Sequence, residues 1–304
     1  MPRAYVFTEY GGPENQAFLE VPKPSAGPGQ LLVAVRAAGV NPVDWKTRVG
    51  YLRQWKETPL PAVMGSEVAG VVEEVGVGVE GFEIGDAVFG TPVTGGFAEY
   101  TLVPAATAAH KPESVSFAKA AALPVAAATA YDGVRQAGLG AGATLLVTGV
   151  GGGVGVAVAQ IAGARGIRVV GTASPAKEGF VASLGVVHVA YGDGVAERLR
   201  KAAPDGVDAV LDLVGGTALE DAVVLLKEGG PLITAADPAT AAKHGGVMIE
   251  RTATADTLTE VAGLVAEGNL DPLIVDTYPL AAAADALALV EAGHARGKVI
   301  IEIS

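Results

Sequence analysis

ATLLVTGVGGGVGVAVAQIAGARGIRVVGTAS, residues 143–174, reads as strand, glycine turn, helix and second strand. Leu145, Leu146 and Val147 are a short apolar β run. Gly149, Gly152 and Gly155 then recur at every third position, with Gly151 and Gly153 between them. Residues 156–164 are small and apolar, as suits a helix packed on a sheet, and residues 167–170 form the next strand. A glycine turn between a strand and a helix lets the backbone approach a pyrophosphate, with the helix N-terminus facing the negative charge. Gly149, Gly151, Gly152, Gly153, Val154 and Gly155 are therefore candidate dinucleotide contacts. The same run also fits a tight βα turn with no ligand; its place inside a βαβ unit favours the binding reading.

The chain has 304 residues, enough for two domains with their own cores. Half of the residues are hydrophobic, yet no run reaches the length of a membrane span. The start, MPRAYVFTEY, resembles a strand and lacks the basic-then-apolar order of a signal peptide. The formal net charge of −12 argues against nucleic-acid binding, which needs clustered Lys and Arg. With no cysteine, disulfides, thiolate-bound zinc, iron–sulfur clusters and a cysteine nucleophile are all excluded. The expectation is a soluble cytoplasmic protein with no membrane partner.

Outward from the glycine turn, two textures divide the chain. Before residue 123 there is no βα alternation. Residues 4–8, 31–37, 68–75, 87–89 and 97–103 read as strands separated by glycine and proline, the texture of a mostly antiparallel, barrel-like domain. One short helix follows Asn41-Pro42, with Asn41 as its cap and Pro42 at its first position. After Leu123-Pro124, residues 125–135 are alanine-rich and helical. Strands at 145–147, 167–170, 186–190, 209–213 and 232–234 then alternate with helices starting near Ala176, Val195 and Ala218. That alternation predicts a doubly wound parallel sheet, with residues 247–251 as a sixth strand. A helix at 258–266, a helix at 281–292 and a strand at 298–303 follow, the last expected to return to the first domain.

Several segments then carry a family resemblance: Gly39-Val40-Asn41-Pro42-Val43-Asp44-Trp45-Lys46, Met64-Gly65-Ser66-Glu67-Val68-Ala69-Gly70, Gly85-Asp86-Ala87-Val88-Phe89-Gly90, Gly95-Gly96-Phe97-Ala98-Glu99-Tyr100, the glycine turn, and Gly293-His294-Ala295-Arg296-Gly297-Lys298. Together and in this order they resemble the medium-chain dehydrogenase/reductase superfamily in its zinc-independent quinone oxidoreductase branch. The resemblance runs nearly end to end. It implies an α/β chain: a GroES-like, mostly-β catalytic domain over residues 1–123, a Rossmann NADPH-binding domain over 124–267, and a return to the first domain over 268–304. The cofactor would lie in the cleft between them. It implies a homodimer as well. Zinc-dependent alcohol dehydrogenases place Cys where this chain has Asn41, and His where it has Ser66. Their cysteine-rich loop is also missing. No metal is expected, and Glu67 is expected to be a structural carboxylate bonded to backbone or to a neighbouring Arg.

The second strand ends Gly171-Thr172-Ala173-Ser174, with no acid for an adenosine ribose. A 2′-phosphate is tolerated there, and Ser174 and Lys177 offer a hydroxyl and a positive charge. In related quinone oxidoreductases a Ser, a Lys and a Tyr hold that phosphate, and Tyr191 matches the last. NADPH is the inferred cofactor. The plainer alternatives make Lys177 a solvated lysine and Tyr191 a core aromatic. The resemblance further implies cofactor contacts at Asn41 (nicotinamide ribose or substrate), Thr129, Val214, Gly215, Thr234, Ala235, Arg296 and Lys298. Lys298 also reads as an exposed residue at a strand start.

Hydride transfer from a reduced nicotinamide needs little side-chain chemistry beyond positioning and a donor aimed at the acceptor's carbonyl oxygen. Asn41, Lys46 and Tyr51 are the catalytic candidates, with Trp45 and Trp55 as possible pocket walls. Lys46 reads equally as a surface lysine paired with Asp44 or a Glu. The four histidines form no triad or metal pair. The expected activity is reduction of a small quinone or α,β-unsaturated carbonyl by NADPH. The alternatives are a non-catalytic, crystallin-like NADPH-binding protein and an enoyl reductase acting on a carrier-bound chain.

Overall fold

The structure is a computed structural model that describes residues 1–304 apart from 54–56, 253 and 294. Trp55 and His294 thus lie outside the described residues. Two compact units emerge: residues 1–126, 253–267 and 274–304 form unit 1, and residues 127–252 and 268–273 form unit 2.

Unit 1 is built on the strand Gln30–Val40. Residues 31–33, 35 and 37–40 of it are buried, so both of its faces are largely covered, which is why it can sit at the sheet centre. It pairs antiparallel with Val68–Val75, Tyr100–Pro104 and Lys298–Glu302. Val299 lies opposite Val40, and Ala38 lies opposite Val68. This register sets Lys298 and Glu67 beside the end of the central strand, where the chain turns into the helix Pro42–Arg48. Phe7, Leu31, Val33, Val72, Phe97 and Ile301 share the core of this unit.

Strands Gln16–Glu20, Ala62–Val63, Ala108–His110 and Ile274–Pro279 are additions to the sequence expectation. They are short or half-exposed edge strands with little apolar content to announce them. The helix Ala255–Ala266 packs on Ala108–His110 through a face containing buried Leu258, Val261 and Ala262. It therefore clusters with unit 1, whereas the sequence boundary at 267 kept it with the second domain.

Unit 2 is a six-stranded parallel sheet in the order Val187–Ala190, Arg168–Ala173, Thr144–Thr148, Ala209–Asp212, Leu232–Thr234, Val247–Met248. The order reverses between Thr144–Thr148 and Ala209–Asp212, and such a switch point opens a crevice at the carboxyl ends of the strands. The sixth strand is shorter than the sequence suggested, ending at Met248. Leu146, Val170, Val210, Leu219 and Leu232 are in its core. Among the described residues, no helix is long and apolar enough to cross a membrane.

Candidate functional site

In unit 2 the glycine turn leads from Thr144–Thr148 into the helix Gly153–Ala164. Gly149 has φ +71°, a left-handed conformation that favours glycine. Gly155 permits close helix–strand approach: a Cβ there would lie 2.5 Å from Val150 Cα. At Gly152, the helix N-cap, a Cβ would meet nothing nearer than 3.7 Å and would fill the space in front of the helix. The helical ladder begins with the Val156 N–H donating to Gly152 O, so the N–H groups of Gly153, Val154 and Gly155 precede it. Free N–H groups at a helix N-terminus after a glycine turn can take a pyrophosphate, so the residues present suit a dinucleotide.

The residues expected at the 2′-phosphate follow the two strands next to that turn in the sheet. Ala173 lies opposite Ala190 in adjacent parallel strands, so Ser174 and Tyr191 follow neighbouring strand ends. The Ser174 side chain makes no capping bond in the helical turn it precedes. Tyr191 is 60% exposed, which removes the core-aromatic alternative. Lys177 is half-buried, and its Nζ donates to Gly151 O at 3.1 Å, so it stands at the glycine turn. Arg198 was missed at the sequence level: it donates to Ala190 O, Gly192 O and Asp193 O, and so fixes the loop that carries Tyr191. An arginine in the following helix was the only available signal.

Three strand ends at the switch point share one carboxylate. Asp212 is fully buried and accepts from the Thr148 and Thr234 hydroxyls, each at 2.6 Å. It also accepts from the Val214 and Gly215 N–H groups at 3.1 and 2.9 Å. The Thr234 oxygen in turn accepts from the N–H groups of Ala236 and Asp237. The turns holding the expected cofactor contacts Val214, Gly215 and Ala235 are thus shaped by Asp212, which sequence reading treated only as a strand residue. Thr129 is buried in the helix Ala128–Ala137.

Unit 1 supplies the second polar cluster. Asn41 sits at the N-cap of Pro42–Arg48 and forms a capping box with Asp44, its side chain facing the Asp44 backbone N–H. The Asp44 carboxylate in turn accepts from the Asn41 backbone N–H at 2.8 Å. The Asn41 amide faces Glu67 and Lys298: Nδ2 donates to Glu67 Oε1 at 2.7 Å, and Oδ1 accepts from Lys298 Nζ at 2.6 Å. Lys298 Nζ also donates to Glu67 Oε1 at 2.6 Å and to Val40 O at 3.3 Å. Glu67 Oε2 accepts from the Val125 N–H at 2.7 Å, where the π-helical turn Leu123–Ala127 frees that donor. The partner of Glu67 is therefore a lysine and not an arginine, and Lys298 is buried, not exposed at its strand start. Gly39 makes room for the carboxylate, since a Cβ there would lie 2.0 Å from Glu67 Oε1.

Asp44 lies beside this cluster. Burial pushes its carboxyl up to about 7, against the opposing hydrogen bond of the Asn41 N–H. On the same helix, Lys46 Nζ stands 5.8 Å from the ring centroids of both Trp45 and Tyr51. Lys46 has no ion pair among the described residues, so its pairing with Asp44 or a Glu is not what the structure shows. Tyr51 is 57% exposed. Arg296 is exposed.

Zinc does not fit the Asn41, Ser66 and Glu67 side chains. Asn41 and Ser66 offer an amide and a hydroxyl where zinc favours thiolate and imidazole, and the Asn41 and Glu67 oxygens already hold the Lys298 ammonium. Among the described residues, no group of three His, Cys, Asp or Glu could hold a metal.

Residues 27–113 match the alcohol dehydrogenase GroES-like domain, and residues 184–301 match the zinc-binding dehydrogenase domain. A 2-methylene-furan-3-one reductase of Solanum lycopersicum is 36% identical, over 98% of this chain and 78% of that protein. A chloroplastic NADPH-dependent alkenal/one oxidoreductase of Arabidopsis thaliana is 34% identical, over 98% and 79% respectively. The solved quinone oxidoreductase of Coxiella burnetii superposes with a TM-score of 0.90 at 30% identity, covering 100% of this chain and 99% of that one. The strand order, the glycine turn and these likenesses agree: the chain belongs to the medium-chain dehydrogenase/reductase superfamily, in its quinone oxidoreductase branch.

Proposed function

We propose that this chain is a zinc-independent reductase that transfers a hydride from NADPH to a small quinone or α,β-unsaturated carbonyl. The observation that carries the reading is the end of the second parallel strand. It offers no acid, while Lys177 touches the glycine turn and Ser174 and Tyr191 follow the next two strands of the sheet, an arrangement that suits a 2′-phosphate. The relatives named for quinone, alkenal and furanone reduction support the acceptor class. Bound NADPH supplies the hydride. The N–H groups after Gly152 take the pyrophosphate, and the turns held by Asp212 and Thr234 carry the other dinucleotide contacts.

As negative charge develops on the acceptor oxygen, a cation or hydroxyl aimed at it lowers the barrier. Lys46 and Tyr51 are the groups we assign to that task, because Lys46 is free of an acidic partner among the described residues. Thr129, Arg296 and Asn41 remain cofactor-facing assignments of the same proposal. Pairing of the exposed edge strand Val247–Met248 with a second copy would make the homodimer, and a cytoplasmic setting completes the reading.

The test is oxidation of NADPH and of NADH against a quinone and an enone, with a metal chelator present throughout. NADPH-selective, chelator-insensitive turnover is expected. Preference for NADH would overturn the cofactor assignment. NADPH binding without turnover of either acceptor would overturn the reductase reading in favour of a carrier-bound substrate or a non-catalytic role.

A further inference from the structure

We propose that the Lys298 ammonium is a tethered cation occupying an internal, oxygen-lined cation site of unit 1, and that it positions Asn41 as a hydrogen-bond acceptor. The site is defined by Asn41 Oδ1 and Glu67 Oε1, each 2.6 Å from Nζ, and by Val40 O at 3.3 Å. Lys298 and Asn41 are each 3% exposed, and Glu67 is 0% exposed. These are hard oxygen ligands around a point charge, the donor set that suits an ammonium or another hard cation and not a thiolate-seeking metal.

The cation dictates which way the Asn41 amide points. An ammonium only donates and a carboxylate only accepts. The amide therefore has a single satisfied orientation, with Oδ1 on Lys298 and Nδ2 on Glu67. One Nδ2 hydrogen is used by Glu67, and the other faces Gly39 O at 3.5 Å. Neither amide hydrogen is left for a ligand, so what Asn41 can offer one is the Oδ1 oxygen, which also faces the Asp44 N–H of the capping box. That selects a ligand group with a hydroxyl to donate, such as a ribose hydroxyl, and disqualifies Asn41 as the donor to an acceptor's carbonyl oxygen. This last assignment rests on the reductase reading; the cation site does not.

The experiment separates the two. The Lys298→Ala variant, without cofactor, is heated in methylammonium chloride, in tetramethylammonium chloride and in sodium chloride at equal ionic strength. Methylammonium is expected to raise the unfolding midpoint saturably by a few degrees, while tetramethylammonium, too large and without N–H donors, leaves it at the sodium value. Lys298→Met, whose side chain fills the same space, should show no such rise. If Lys298→Ala does not fold alone, refolding yield in each salt gives the same readout. Absence of a methylammonium-specific effect, or an equal effect in Lys298→Met, overturns the cation site.

NADPH kinetics follow on the same samples. The KM for NADPH is expected to rise about tenfold in Lys298→Ala, the scale of a lost hydrogen bond, and to fall back in methylammonium. Midpoint rescue with an unchanged KM keeps the cation site and overturns the positioning of Asn41. If wild-type protein turns over neither acceptor, the reductase reading fails while the midpoint readout still decides the site.

Discussion

Glu67 in unit 1 and Asp212 in unit 2 are both carboxylates with no exposed surface, and they are neutralised in different ways. Glu67 has a full opposite charge, an amide and one backbone N–H around it. Asp212 has only neutral donors, two threonine hydroxyls and two backbone N–H groups. An ion pair holds two distant strands and fixes one side chain. A ring of neutral donors shapes loops, because each donor is itself part of a turn. The first arrangement fails when one charge is deleted, since the other is left buried and alone. The second is distributed and loses one hydrogen bond at a time.

The largest expected effect comes from breaking the charged pair. Lys298→Met should cost about 3–5 kcal/mol in urea unfolding, the usual penalty for stranding a buried charge. Adding Glu67→Gln to it should recover most of the loss, although a second contact has been removed. A double variant no more stable than Lys298→Met would show that the two carboxylates do not differ in kind.

A third carboxylate sharpens the contrast. Asp44 has no direct cationic partner in its hydrogen bonds, and burial raises its carboxyl from 3.8 to about 7. An acid whose pKa is raised on folding holds its proton more tightly in the folded state. Stability from this group is therefore fully present below about pH 4 and is lost as pH rises towards 7, by up to about 1.4 kcal/mol per pH unit, with no further change above. Asp44→Asn should flatten that segment of the pH–stability curve, since an amide oxygen can still accept from the Asn41 N–H. An unchanged slope would mean that Asp44 folds ionised.

Asp212→Asn should cost less than Lys298→Met, about 1–3 kcal/mol. Its effect on the KM for NADPH should exceed its effect on kcat, because the turns at Val214 and Ala236 loosen. Equal loss in kcat alone would contradict the loop-shaping role. Smallest of all, Tyr191→Phe should weaken NADPH by a few-fold and leave NADH unaffected, the size of one exposed hydrogen bond to a charged group. Equal change with both cofactors would remove Tyr191 from the 2′-phosphate site.

The legibility of the two regions in sequence differs for the same physical reason. The glycine turn is local: strand, φ-demanding glycine and helix N-terminus are contiguous, so Gly149 to Gly155 announce themselves. The parallel alternation does so too, because each strand carries its own apolar run. The unit 1 cluster is non-local. Asn41 and Lys298 are 257 positions apart, and Glu67 and Lys298 are 231 apart. Only the strand register joins them, so Lys298 read as a cofactor contact or an exposed strand start, and Asn41 as a cap and a cofactor or substrate contact, with nothing to pair the two. Family resemblance flagged all of these positions but not their connection. Arg198 acts through backbone carbonyls, and Asp212 through backbone N–H groups and two threonines of other strands, pairings that sequence does not display.

The occupied cage around Lys298 also restricts how this chain can change by descent. A lineage acquiring a metal between residues 41 and 67 must first lose the lysine, and that loss alone strands Glu67. A small residue gained at position 39 meets the same carboxylate. Neutralising Glu67 first strands the buried Lys298 ammonium in the same way, and position 39 is closed by the Ala121 carbonyl as well, 2.7 Å from a Cβ there. The metal-free state is thereby guarded by the paired change needed to leave it.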